Sequence, residues 1–118
     1  MTETIYHITT GDAWKAGQAA GAYRADSLQS QGFIHCSLLN QVLRVANNYY
    51  KGQHGLVLLR IDTERLMSGI RWEAGTDKPD ELFPHIYGAL NPDAVAEVLD
   101  FEPDLNGTFH LPKVLDAK

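Results

Sequence analysis

Cysteine is almost missing from this chain. Cys36 is the single one in 118 residues, so no internal disulfide can form, which suits a reducing compartment and excludes a disulfide scaffold. Long apolar runs are also lacking. The longest, Leu56-Val57-Leu58-Leu59, falls far short of the roughly 20 residues a membrane helix needs, so no membrane span is expected. The start, Met1-Thr2-Glu3-Thr4, carries an acid where a secretory leader carries bases, and a cytoplasmic protein is expected. Clusters of basic residues are absent too. The formal net charge is −5, and Lys15, Arg24, Arg44, Lys51, Arg60, Arg65 and Arg71 stand singly, which disfavours nucleic acid as a partner. There is no glycine-rich phosphate loop, no His-Glu-x-x-His, no Cys-x-x-Cys and no Gly-x-Ser-x-Gly, which removes several common enzyme classes.

What is present fits one ordinary globular domain spanning residues 1–118. The length is close to the commonest domain size, and 44% hydrophobic with 21% charged residues is near the globular average. Glu3 to Thr9 reads as a strand with Ile5, His7 and Thr9 on one face and Tyr6 and Ile8 on the other. Thr9 or Thr10 can cap a helix carrying Ala13, Trp14, Ala16, Gly17 and Ala20, ended by Gly21. A helical turn over Asp26–Gln31 closes at Gly32 and leads into extended Phe33–Ser37. Ser37 can cap the clearest helix, in which Leu38, Leu39, Val42, Val45, Ala46, Tyr49 and Tyr50 repeat at three and four residues. Gly55–Asp62 reads as a central two-sided strand, Thr63–Met67 as a short helical turn, and Ile70–Glu73 as a strand. Ala74–Glu81 reads as a polar loop, Phe83–Tyr87 and Ala96–Phe101 as strands, and the tail from Glu102 as mostly irregular. Helices early and strands late do not fit strict βαβ alternation, so an α+β fold with a mixed or antiparallel sheet and helices packed on it is expected.

The candidate chemistry lies on three extended segments. Period-two alternation puts His35 and Ser37 on one face and Ile34 and Cys36 on the other, so Cys36 is expected in the core and cannot pair with His35 for thiol–imidazole catalysis. His85 and Tyr87 likewise share a face. Any one histidine is ordinarily a half-buried group satisfied by a hydrogen bond; three in equivalent settings point to a shared cleft. His54 and His110 lack strand context and read as surface residues. Glu73 and Asp62 are the carboxylates best placed to act as base or orienter, although strand-end carboxylates are usually solvated.

The runs Ile5-Tyr6-His7-Ile8-Thr9, Gly32-Phe33-Ile34-His35-Cys36-Ser37 and Phe83-Pro84-His85-Ile86-Tyr87-Gly88, in this order, resemble the domain of unknown function family numbered 952, over about residues 3–101. That family resembles a compact ADP-ribosyltransferase-like fold. The resemblance implies that NAD, or an ADP-ribose-like nucleotide, binds in a histidine-lined cleft and that ADP-ribose is transferred to an unknown acceptor. On it, His7 holds a ribose hydroxyl with Thr9 beside it, and Tyr6 is structural. His35 and Ser37 sit on the second motif strand, His85 takes the third motif position, and Tyr87 stacks on the nicotinamide. His35, His85 and Glu73 are then the catalytic candidates, and His7, Thr9, Ser37 and Tyr87 the binding ones. Two other readings stand beside it: a non-catalytic ligand-binding module using the same cleft, and a three-histidine zinc hydrolase.

Overall fold

The computed structural model describes residues 4–75 and 78–116. Residues 1–3, 76, 77, 117 and 118 of the expected domain, and with them the start of the expected first strand at Glu3, lie outside the described residues.

Strand β1 (Thr4–Thr10) is followed at once by helix α1 (Gly11–Ala20), because the Thr10 hydroxyl accepts from the Ala13 amide at 3.1 Å and Gly21 closes the last turn in the left-handed region. The turn α2 (Asp26–Gln31) ends the same way at Gly32 and delivers the chain to a two-residue strand, β2 (Ile34–His35). Helix α3 (Leu39–Tyr49) starts one residue later than expected. Ser37 is not its cap: its amide and carbonyl are both spent on Tyr6, at 2.8 Å each, and Leu38 takes the cap position. The Gln41 side chain supplies the acceptor instead, 2.9 Å from the Leu38 amide.

Strands β3 (Leu56–Asp62), β4 (Gly69–Ala74), β5 (Leu82–Tyr87) and β6 (Val95–Phe101) follow. The helical turn expected over Thr63–Met67 is an ordinary turn. Asn91 explains this: its side-chain amide donates to the Arg65 carbonyl and accepts from the Met67 amide, both at 2.9 Å, so those backbone groups have no need of helical partners. Pro92–Ala94 forms a 3₁₀ turn before β6, and the mostly irregular tail contains one short helix, α4 (Lys113–Asp116). Leu115 there is buried against Tyr6, Ile8 and Phe109, which is the tertiary contact that fixes it.

Among the described residues the strands form two three-stranded antiparallel sheets, ordered β1-β3-β6 and β2-β5-β4. β3 is buried on both faces. Val57, Leu59 and Ile61 face a core with Ile5, Ile34 and Ile86, while Leu56 and Leu58 face a second core with Val42, Phe101 and Phe109. The sheets meet edge to edge at the Tyr6–Ser37 bridge, and that seam positions the site.

Candidate functional site

The small sheet sorts its side chains by parity. Ile34, Ile86 and Ile70 are register partners across β2, β5 and β4 and pack into the core. One residue on, His35, His85 and Arg71 are register partners, and so share the opposite face. The His35 and His85 rings meet edge to face, with centroids 5.3 Å apart. Phe33 folds over both, stacked on His85 at 4.1 Å and edge-on to His35 at 4.8 Å.

His85 is held by a carboxylate. Its Nδ1 lies 2.8 Å from a Glu73 oxygen, and the Tyr87 hydroxyl donates to the same oxygen at 2.7 Å. The Tyr87 and His85 hydrogen bonds hold the Glu73 carboxyl below the usual carboxylate range, and the same contact with Glu73 pushes the Tyr87 phenol up. Nδ1 of His85 must donate, since an ionised carboxylate only accepts. The ring is almost fully buried, yet Nε2 has no protein partner among the described residues. Because no buried side-chain polar atom there lacks a partner, Nε2 is reached by solvent.

His35 is oriented oppositely. Its Nε2 donates to the Gln31 side-chain Oε1 at 3.1 Å, which leaves Nδ1 as the unprotonated nitrogen of the neutral ring. Burial, then the neighbouring His85, lowers the His35 pKa. The two imidazoles thus differ: one is backed by an anion, the other is biased towards neutrality.

His7 is fully committed to the protein. Nδ1 is 2.6 Å from the His35 carbonyl oxygen and Nε2 2.8 Å from the Tyr23 hydroxyl, which in turn lies 2.8 Å from Thr9 Oγ1. The carbonyl can only accept, so Nδ1 carries the hydrogen, the Tyr23 hydroxyl donates to Nε2, and the Thr9 hydroxyl donates to Tyr23. Burial pushes the His7 pKa down to about 4 and the Tyr23 phenol up to about 12.

A cleft of about 640 Å³ opens over the seam between the α1–α2 connection and α3. His7, Thr9, His35, Ser37 and His85 line it; Glu73 and Tyr87 do not, and stand behind His85. Tyr87 is already covered by Phe33 at 5.4 Å and by the Arg71 guanidinium 4.5 Å above its ring. Cys36 is buried in the core, with its thiol pKa raised by that burial. Sequence reasoning missed Tyr23, Gln31, Phe33 and Arg71. Alternation in Ile70-Arg71-Trp72-Glu73 would have placed Arg71 on the face of Glu73, but Tyr23 meets His7 only through the fold. His54 and His110 are exposed and paired with Glu102 and Asp104, away from the cleft.

The family described as "Protein of unknown function (DUF952)" matches residues 8–98. The crystal structure of protein CC0527 from Caulobacter crescentus is similar with a TM-score of 0.84 at 32% identity, covering 96% of this chain and 98% of that one. The solution NMR structure of the same protein gives 0.81 at 31% identity, covering 98% of each chain. No curated protein matches.

Proposed function

The chain belongs to the DUF952 family, and from that premise we propose that its cleft binds NAD or an ADP-ribose-like nucleotide on an ADP-ribosyltransferase-like fold and transfers ADP-ribose. The observation that supports this reading is the Glu73–His85 pair, with His85 lining the cleft beside His35 and its Nε2 reached by solvent. NAD would supply the glycosidic bond, whose loss of nicotinamide leaves an oxocarbenium-like centre. This chain's part is to hold the ribose and take a proton. Nε2 of His85 is the base for the acceptor hydroxyl or amine, and Glu73 stabilises the imidazolium that results. The Ser37 hydroxyl, which has no protein partner among the described residues, is free to bond a ribose hydroxyl. For His7 and Thr9 to do so, a bond to Tyr23 must be exchanged. For Tyr87 to stack on nicotinamide, Arg71 or Phe33 must move aside.

A non-catalytic binding module is the second reading, favoured by one observation: Glu73 spends its carboxylate on His85 and Tyr87 and does not reach the cleft wall. A zinc hydrolase is less well supported, since both nitrogens of His7 are occupied and, among the described residues, no group of three or more His, Cys, Asp or Glu is arranged to hold a metal ion.

The test is a thermal shift with NAD, ADP-ribose and zinc in parallel, followed by nicotinamide release. Ligand at 100 times its Kd should stabilise by about 2.7 kcal/mol. His35→Ala should remove the shift with NAD or ADP-ribose, and nicotinamide release should fall with it. A shift without release leaves the binding module; no shift with either nucleotide sinks the proposal.

A further inference from the structure

Two imidazoles with unlike environments sit side by side over an open cleft. His35 offers a free basic nitrogen, Nδ1, because Gln31 holds its Nε2–H. His85 offers Nε2, and its Nδ1–H is held by the Glu73 carboxylate on the far side. Two adjacent imidazoles, one with a free ring nitrogen and one backed by a carboxylate, can act together as base and acid. With ring centroids 5.3 Å apart, the pair is close enough to flank one tetrahedral or trigonal-bipyramidal centre. Arg24, Arg44 and Lys78 line the cleft together with the single acid Asp26; Arg44 is paired with Glu81 and Lys78 acts on the same carboxylate, while Arg24 makes no ion pair among the described residues. In a chain of net charge −5, a cleft lined by more cations than acids as well as two imidazoles suits an anionic group that gains charge in its transition state.

We propose that this cleft hydrolyses a phosphodiester of a small nucleotide-like substrate without a metal ion, with His35 as general base and His85 as general acid. His35 Nδ1 takes a proton from water, whose oxygen bonds to phosphorus. The bond from phosphorus to the leaving oxygen breaks, and that oxygen takes the proton from His85 Nε2. The products are one phosphomonoester and one alcohol, and proton transfer through solvent resets the two rings. Glu73 is a positioning residue: it fixes the ring of His85 and stabilises its charge without touching the phosphate. This chemistry shares the cleft with the ADP-ribose reading but breaks a different bond, and either can fail alone.

The experiment is hydrolysis of bis(p-nitrophenyl) phosphate and of a nucleoside 2′,3′-cyclic phosphate by the full chain in EDTA, across pH. Turnover is expected with a bell-shaped profile, as a mechanism with one imidazole as base and one as acid requires. His35→Ala, at an exposed position, should lower kcat/KM at least about a hundredfold, and His110→Ala should not change it. Glu73→Gln should lower kcat and change the alkaline limb while the variant melts as a folded protein. Absence of turnover, turnover that EDTA abolishes, or turnover that survives His35→Ala overturns the inference. A thermal shift with ADP-ribose alongside no diester turnover would overturn it and leave the nucleotide-binding reading intact.

Discussion

A histidine sealed in the interior must stay neutral, and His7 shows what that costs. Its pKa is pushed down to about 4 by burial, whereas in the unfolded chain it sits near the ordinary value of about 6.5. The unfolded state therefore binds a proton more readily, so stability falls as pH drops from about 6.5 towards 4 and levels off below. Urea unfolding should show a loss of about 2 kcal/mol between pH 7 and pH 5, with His35 adding in the same direction because its pKa is also lowered. A flat profile over that window would mean that the His7 ring is not sealed. Parity alone put His7, His35 and His85 on the right faces of their strands. It was silent on occupancy, because the partner of His7 is a tyrosine 16 residues away that arrives only when α1 turns back.

At the scale of elements, the return of the chain after α1 depends on a close approach. Gly17 lies against Tyr23, and a Cβ there would come within 2.7 Å of Tyr23 Cβ and 2.8 Å of its Cα. Backbone cannot yield as a side-chain tip can, so Gly17→Ala should destabilise by about 1–3 kcal/mol despite the better helix propensity of alanine. It should also displace Tyr23 from His7, visible as a changed His7 imidazole signal in NMR. The helices over Gly11–Ala20 and Leu39–Tyr49 were legible because period and stop signals agree. The boundaries at Ser37 and Thr63 were not, because distant groups, Tyr6 and Asn91, take up the local hydrogen bonds. The pairing of Glu73 with His85 needed the register of β4 on β5, which periodicity does not supply.

Across the whole molecule, two cores share one doubly covered strand, β3, whereas the two sheets touch backbone to backbone at the isolated Tyr6–Ser37 bridge. The α+β class was readable from element order, with a mixed or antiparallel sheet both open; the division into two sheets was not, since nothing local marks β2, only two residues long, as a member of the smaller one. That backbone junction also lies in the cleft wall, because Tyr6 and Ser37 both line it. A ligand seated there spans a joint as well as filling a hollow. The reciprocal amides of Tyr6 and Ser37 report openings that part the sheets, and a bound nucleotide at 100 times its Kd should slow their deuterium exchange about a hundredfold. The amides of Leu58 and Leu59 in β3 should change far less. Unchanged exchange at the joint in the presence of a bound ligand would mean that the ligand sits on one sheet alone. Slowed exchange would make occupancy of the cleft and the mutual orientation of the sheets a single equilibrium, so that the ligand acts as a clasp on the fold.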